Sequence, residues 1–257
     1  MKYRADMHVH STFSCDSTCV AEDHVRDAIE KGMHYICFTE HYDLNPYDEG
    51  FGYYRGDAVS AEIERLRDRY GSEITILKGV EFSEPHLYPR EFEAITREDY
   101  DYILASIHFL DDRFVLDKTL TQTIPSQQLF ERYYHETLQA VRHGGFDAIA
   151  HFDYLRRGSG LDLYDKDILT EIFRTMVKQN ITLEINTQNE RRGIALPFPT
   201  PAKAELYAQA GGSRITFGSD GHHKGDLGSG IQAAYSSYAG IPGLVPGVFL
   251  KRQFIAL

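Results

Sequence analysis

The sequence predicts an α/β fold in which helices cover a parallel sheet, either an open sheet covered on both faces or a closed barrel. Short apolar runs rich in β-branched and aromatic residues alternate with amphipathic helical stretches. Seven such strand-then-helix units follow one another without a linker, a repeat or a low-complexity tract between them. A chain of 257 residues is long enough for one such domain with a sizeable core.

The seven strands are predicted from apolar runs, and the helices from charged amphipathic stretches, most of which end at glycine. The predicted strands cover residues 5–10, 35–41, 74–82, 102–109, 148–152, 181–187 and 214–220. Helices are expected over 21–31, 59–70, 127–142 and 166–179, and from Pro201, a residue favoured in the first turn, to the glycines at 211–212. The glycine-rich stretch 225–247 predicts a loop and a short helix, and the tail 248–257 a last strand or helix.

The amino-acid composition disfavours several classes of protein, among them nucleic-acid-binding, membrane-spanning and disulfide-rich proteins. The chain carries 27 Lys and Arg against 38 Asp and Glu, a net charge of −11 that disfavours nonspecific binding to nucleic acid or an anionic membrane. The charged start of the chain does not resemble a signal peptide, and no apolar run is long enough to span a membrane. Three cysteines do not make a disulfide framework. We therefore expect a cytoplasmic protein.

Histidines and carboxylates recur at the ends of the predicted strands. They are His8 and His10, Glu40 and His41, Glu81, His108, His151, and Asp220 with His222, together with Asp16 on the loop after the first strand. Because the carboxyl ends of parallel strands meet at one face, these side chains should converge there. Such a dense group is costly unless it is paired or binds metal, and imidazole with carboxylate suits zinc, manganese or iron. The sequence therefore predicts a metal centre.

Each of these residues taken alone has a simpler interpretation. A single histidine on a strand is more often a packing or surface residue, and an isolated His-x-His is more often incidental. Five other histidines are interpreted in this way: His24, His34, His86, His135 and His143. Cys15 and Cys19 are expected to be free thiols, since one C-x₃-C pair is a weak zinc signal. The joint placement of the strand-end residues favours the metal centre.

The motifs that carry these residues resemble those of the PHP superfamily (polymerase and histidinol phosphatase). They are residues 6–11 (DMHVHS), 39–41 (TEH), 79–81 (GVE), 106–108 (SIH), 151–153 (HFD) and 218–222 (GSDGH), in the order of the family. Residues 151–157 (HFDYLRR) and 186–191 (NTQNER), followed by Pro199 and Pro201, most resemble the stand-alone histidinol-phosphate phosphatases. The resemblance implies a distorted (β/α)₇ barrel, with residues 1–257 forming one PHP domain.

The resemblance also implies a centre of three metal ions, drawn from zinc, manganese and iron. One ion would be held by His8, His10, Glu81 and Asp220. A second would be held by Glu81, His108 and His151, and a third by Asp16, His41 and His222. Asp16 stands where many relatives have histidine.

The implied reaction is hydrolysis of a small phosphorylated substrate, namely L-histidinol phosphate, in histidine biosynthesis. Metal-activated hydroxide would attack phosphorus, and arginines would bind the phosphate oxygens. Arg156 and Arg191 are the predicted phosphate-binding residues, since guanidinium matches phosphate geometry, with Arg157 and Arg192 as alternatives. Asp153 or His223 is a candidate for protonating the leaving group.

Three alternatives remain at this stage. A PHP phosphoesterase for another phosphate ester or a nucleotide would share every metal ligand. An amidohydrolase-type enzyme also starts with His-x-His, but it normally lacks the strand-three glutamate and the second Asp-x-His. A non-catalytic metal-binding module would not need the full set of ligands. The sequence leaves the oligomeric state open.

Overall fold

The structure is a computed structural model that describes residues 3–194 and 196–257. Its main feature is a nine-stranded, mostly parallel sheet flanked by helices. The strands are β1 Ala5–Val9, β2 Tyr35–Tyr42, β3 Thr75–Ser83, β4 Tyr102–Ser106, β5 Phe109–Leu110, β6 Arg113–Phe114, β7 Ala148–Ile149, β8 Thr182–Asn186, β9 Arg214–Gly218, β10 Val245–Leu250 and β11 Gln253–Ala256.

The helices follow the strands along the chain. They are α1 Ala21–Glu30, α2 Gly56–Tyr70, α3 Pro89–Thr96, α4 Lys118–Thr123, α5 Ser126–His143, α6 Arg156–Ser159, α7 Lys166–Gln179, α8 Gln188–Arg191, α9 Pro201–Gln209 and α10 Ile231–Tyr238. Local chemistry sets several ends. The Asp165 carboxylate caps the start of α7, and Asn180 in the left-handed conformation ends it.

The sheet has the strand order β1-β2-β3-β4-β7-β8-β9-β10-β11. Pairing is parallel from β1 through β10, and only the β10–β11 and β5–β6 pairs are antiparallel. Beyond the strand ends, Val9 forms an isolated parallel bridge with Gly221, and the Asp220 amide donates to the His8 carbonyl over 2.8 Å. The carboxyl ends of β1 and β9 are therefore in contact.

The seven predicted strands and five predicted helices are all present, with shifted ends. The fifth strand is much shorter than expected, because the backbone turns to a positive φ at His151. Four short helices (α3, α4, α6 and α8) and the β5–β6 hairpin were not predicted. The stretch after Asp220 contains α10. The tail 248–257, for which a strand or a helix was predicted, belongs to the β10–β11 hairpin and is therefore strand.

Both faces of the central strands are buried. All five residues of β1 are inaccessible, so Met7 packs in the apolar core while Asp6 and His8 are buried on the other side of the strand. Ionisable side chains such as Asp6 and His8 can be buried in this way only where other polar groups of the fold surround them. None of the three cysteines forms a disulfide. In the described part of the chain, no helix combines the length and apolar character that crossing a membrane requires.

Candidate metal centre

The nine predicted ligands gather at the carboxyl end of the parallel strands. Seven of them line a cavity of about 710 Å³: Asp16, His41, Glu81, His108, His151, Asp220 and His222. His8 and His10 are fully buried beneath it and contact Glu81. A cavity of this size suits a small-molecule ligand.

The first group lies around β1. The Nε2 atoms of His8 and His10 are 2.9 Å apart, because residues two apart on a strand point to the same side. The His8 Nε2 atom is 3.1 Å from Glu81 Oε2, and the His10 Nε2 atom is 3.5 Å from Asp220 Oδ1. Four ligand-type side chains therefore surround one point.

The second group uses the other oxygen of the same glutamate. His151 Nε2 lies 2.8 Å from Glu81 Oε1, and His108 Nε2 lies 3.5 Å from it. The two imidazole nitrogens are 3.4 Å apart. Glu81 thus stands between the first and second groups with one oxygen toward each, an arrangement suited to a bridging ligand.

The third group lies at the mouth of the cavity. Asp16 Oδ2 is 3.0 Å from His222 Nε2, and Asp16 Oδ1 is 3.6 Å from His41 Nε2. The Asp16 side chain is 48% exposed, whereas the two histidine side chains are each 12% exposed. This group is therefore the most accessible of the three.

The chemistry of this donor set fits metal ions. Imidazole nitrogens face one another at 2.9 and 3.4 Å, and at most one hydrogen can lie between each pair. The buried Nδ1 atom of His151 has no hydrogen-bond partner within the described residues, and His41 Nδ1 lies 3.1 Å from Glu81 Oε2. Three groups of side chains each bring one ligand atom per residue within 4.8 Å of the others in the group. They are His8, His10 and Asp220; His10, His41 and His222; and His41, Glu81 and His108. Cations would satisfy these lone pairs.

The charges in the centre shift one another's pKa values. Burial alone would lower the pKa of His8, but the carboxylates of Glu184, Glu81 and Asp220 raise it well above its ordinary value. Burial and the neighbouring imidazoles hold the pKa of His10 well below its ordinary value. Burial opposes ionisation of Glu81, yet the surrounding histidines keep its pKa well below the usual range. Glu81 is therefore ionised near neutral pH.

Glu184 is a buried partner that the sequence did not single out. Its Oε1 atom lies 2.6 Å from His8 Nδ1, and its Oε2 atom accepts from the His151 amide at 2.7 Å. It lies on β8 two residues before Asn186, whose amide donates to Glu184 and to Asp220. The sequence did carry a signal for this role, namely a glutamate inside an apolar strand run. A carboxylate buried in such a strand needs hydrogen-bonding or charged partners.

Arginines line one part of the cavity. Arg191 donates from Nη2 to the Asp220 carbonyl over 2.9 Å, and its Nε atom is 3.3 Å from Asp226 Oδ1. Arg157 and Arg192 also line the cavity. Burial and the nearby Arg157 charge lower the pKa of Arg192. Three guanidinium groups thus line the cavity.

Arg156 does not line the cavity, so its position does not support the phosphate-binding role predicted for it. It is 5% exposed and donates to the backbone carbonyls of Leu196 and Pro197. Its Nε atom is 3.4 Å from Asp153 Oδ2. Neighbouring residues on a helix point about 100° apart, and in the one-turn α6 Arg157 is the one of the two that lines the cavity.

The two candidates for protonating the leaving group lie in different places. Asp153 is fully buried, does not line the cavity, and pairs with Lys203 Nζ at 3.0 Å, so its position does not support this role. His223 does line the cavity, and its Nδ1 atom is 2.9 Å from the Thr18 hydroxyl.

The remaining cavity wall is acidic and aromatic. Asp43, Tyr47, Asp48 and Glu49 come from the segment between β2 and α2. Two phenylalanines, Phe109 and Phe114, come from the β5–β6 hairpin. The arginine residues follow β7 and β8, and strands β3 and β4 separate these from β2 in the sheet. The acidic segment after β2 and the arginines therefore come from strands that are not neighbours in the sheet, while the lining residue Asp226 pairs with Arg191.

Comparison with known proteins places this site in context. The PHP domain family model matches residues 6–188. A histidinol-phosphatase from Lactococcus lactis is 30% identical, with 85% of this chain and 84% of that protein covered. A Clostridium acetobutylicum protein named probable histidinol-phosphatase is also 30% identical, with 89% and 90% covered. The crystal structure of Lactococcus lactis histidinol phosphate phosphatase complexed with zinc, L-histidinol and phosphate has a TM-score of 0.83 at 24% identity, covering 98% of this chain and 99% of that one. This last likeness concerns the fold.

Proposed function

This chain belongs to the PHP domain family, and on that premise we propose that it is a phosphatase that hydrolyses L-histidinol phosphate to L-histidinol and phosphate. Two relatives that share 30% of their residues with this chain over most of its length carry the name histidinol-phosphatase or probable histidinol-phosphatase. The cavity is lined by candidate metal ligands and by guanidinium groups, and both suit phosphate-ester hydrolysis.

Three metal ions of the zinc, manganese or iron type are proposed for the centre. His8, His10, Glu81 and Asp220 would hold one, Glu81, His108 and His151 the second, and Asp16, His41 and His222 the third. The interatomic distances within each group support this assignment. Such ions supply hydroxide near neutral pH and offset the negative charge of the phosphoryl group.

The guanidinium groups would bind and orient the phosphate. Arg157 and Arg191 have fixed positions, since each already donates to groups of the protein. Arg192 lies close enough to Arg157 for their charges to interact. An anion placed among them would relieve this repulsion, and charge-assisted hydrogen bonds to phosphate oxygens would stabilise the transition state.

The distribution of charge around the cavity is the observation that carries the choice of substrate. Arginines on one side suit a phosphate, while Asp48 and Glu49 with Tyr47 and the hairpin phenylalanines on another side suit a cationic group and a ring. L-Histidinol phosphate has a phosphate, an amine and an imidazole. A neutral sugar phosphate offers no positive charge to the acidic side.

We further propose that the sheet closes into the distorted (β/α)₇ barrel of one domain. The parallel bridge between Val9 and Gly221 and the hydrogen bond from the Asp220 amide to the His8 carbonyl support closure between β1 and β9. In such a barrel the carboxyl ends of the strands form the active-site face. The cavity lies at that end.

The test is a phosphate-release assay on protein reconstituted with zinc, manganese or iron. Substrates would be L-histidinol phosphate, nucleotides, sugar phosphates and bis(p-nitrophenyl) phosphate. We expect kcat/KM to be highest for L-histidinol phosphate. In Asp48→Asn combined with Glu49→Gln this preference should fall while turnover of a sugar phosphate stays unchanged. Equal turnover of all the esters by the unmodified protein would refute the substrate assignment, and no release from any of them would refute the phosphatase.

A further inference from the structure

Tyr154 occupies a position that the proposed reaction has not yet used. It follows the candidate ligand His151 by three residues, and its ring lies against the His151 imidazole with the centroids 4.4 Å apart. The residue is 6% exposed and lines the cavity. Its side chain therefore lies beside the metal centre, between His151 and the arginine side of the cavity.

The hydrogen bond between Tyr154 and Arg157 determines where the phenol proton can point. Arg157 Nη1 lies 2.6 Å from the Tyr154 hydroxyl oxygen. A guanidinium has only donors, so the phenol oxygen must be the acceptor in this bond. Its own proton must then point elsewhere, and no acceptor for it is found among the described residues.

The arginine also orients the hydroxyl. Arg157 Nη1 donates to Gln188 Oε1 over 2.8 Å, and the guanidinium carbon lies 5.3 Å from the centre of the Tyr154 ring. Contacts to Gln188 and to the ring hold the guanidinium in place. A phenol that accepts from a cation is polarised and becomes a stronger donor through its own proton.

We propose that the Tyr154 hydroxyl donates a hydrogen bond to an oxygen of the bound phosphate, next to the phosphate-binding guanidinium of Arg157. This role rests on the proposed phosphatase function. The phenol would contribute a neutral donor in a site otherwise filled by cations. It would therefore bind the phosphate of both substrate and product without adding charge.

The ring and the hydroxyl have separable roles. The ring packs against His151 and lies 6.0 Å from the centre of the Phe198 ring. Tyr154→Phe keeps this packing and removes the hydroxyl, which is both the proposed donor to phosphate and an acceptor from Arg157. Gln188 still accepts from Arg157, so the variant should fold and keep its metal. Tyr53→Phe is the matched control, since the Tyr53 hydroxyl donates to the Thr12 carbonyl and Tyr53 does not line the cavity.

The experiment measures binding of inorganic phosphate to the metal-loaded protein by calorimetry, together with metal content and kcat/KM for L-histidinol phosphate. A hydrogen bond to a charged group predicts that Tyr154→Phe weakens phosphate binding and lowers kcat/KM by about 10- to 100-fold. Metal content should be unchanged, and Tyr53→Phe should behave as the unmodified protein.

Two results would overturn the proposal. Phosphate affinity equal to that of the unmodified protein would show that the hydroxyl does not contact phosphate. Loss of metal or of folded protein in Tyr154→Phe would assign the hydroxyl a structural role instead. If the unmodified protein bound phosphate but did not hydrolyse L-histidinol phosphate, the proposed function would fail while the phosphate comparison still decided the role of Tyr154.

Discussion

Four of the clustered imidazoles direct one nitrogen toward another candidate ligand and have the second nitrogen close to a different group of the protein. The pairs are His8 with Glu184, His10 with the Ser14 hydroxyl, His108 with the Ser83 hydroxyl, and His222 with the Asp220 carbonyl. Such partners select the tautomer and orient the ring before any ion binds. At the residue scale, the centre therefore depends on these partners as well as on the proposed ligands.

Glu184→Gln tests this dependence. The change preserves size but removes the negative charge beside His8 Nδ1, so we expect zinc affinity to fall by about 10- to 100-fold. Titration against a chromophoric chelator would measure it. Glu205→Gln, at an exposed position on α9, is the control and should bind zinc normally. An unchanged affinity in Glu184→Gln would show that this carboxylate does not support the metal centre.

The two adjacent arginines predict opposite phenotypes for the same substitution. Arg157→Met should lower kcat/KM by about 100-fold or more, since it removes a guanidinium that faces the cavity. Arg156→Met should instead lower the free energy of unfolding by about 2–4 kcal/mol, because the buried Asp153 loses a cationic neighbour and two carbonyls lose a donor. Steady-state kinetics and urea unfolding of both variants would separate these roles. The reverse pattern would restore Arg156 as the phosphate-binding residue.

At the scale of elements, the C-terminal hairpin β10–β11 holds the sheet at the end away from the cavity. Arg252, in its turn, pairs through Nε with Asp147 Oδ2 at 2.8 Å, just before β7. The same oxygen accepts from the Ile103 amide on β4 at 2.8 Å. Burial raises the pKa of Asp147 to about 6, although Arg252 and the amide oppose the rise. One buried carboxylate thus joins β4, β7 and the last hairpin.

This pair predicts a pH-dependent effect of Arg252→Met. The folded-state pKa of Asp147 lies above its unfolded value of about 4, so its contribution to stability is present below pH 4 and is lost as the pH rises to about 6. Removing the cation raises that pKa further and makes the ionised carboxylate costlier. We expect a loss of about 2 kcal/mol at pH 8 and about 1 kcal/mol or less at pH 5.

Urea unfolding of Arg252→Met at both pH values would measure this difference. Arg174→Met, at an exposed position on α7, serves as the control for removing an arginine charge. An equal loss of stability at pH 5 and pH 8 would argue against a role for the ionised Asp147.

At the scale of the whole molecule, the candidate ligands connect strands that are distant in sequence. They come from β1, β2, β3 and the segments after β4, β7 and β9. Ions bound among them would tie most of the parallel sheet together at one end. Unfolding would separate these groups, so metal binding should stabilise only the folded chain.

Metal removal should therefore lower the Tm. Protein dialysed against a chelator should unfold at least about 5 °C below the metal-loaded protein, the shift expected when one ion is present at a hundredfold excess over its Kd. Differential scanning calorimetry would measure it, with recovery on adding zinc. Chelator already saturated with zinc is the control. An unchanged Tm would contradict metal ions that bridge these strands.

Much of the fold and of the candidate site was predictable from local patterns. Apolar runs and glycine stops located all seven strands of the predicted units, because strand periodicity and helix ends are encoded in short stretches of chain. The nine candidate ligands were recognised because strand-end positions share one face in any parallel α/β fold. The short helices and the β5–β6 hairpin were missed because few residues carry their signals.

The sequence by itself determined which residue types stand at each strand end, and through its motifs the family to which the chain belongs. The tertiary structure alone decided which arginine faces the cavity, since one turn of helix α6 directs Arg157 inward and Arg156 toward the 196–197 carbonyls. It also decided that Glu184 supports His8 across 176 positions of sequence. The physical reason is that side-chain direction and long-range pairing depend on how distant segments pack, which no local pattern records.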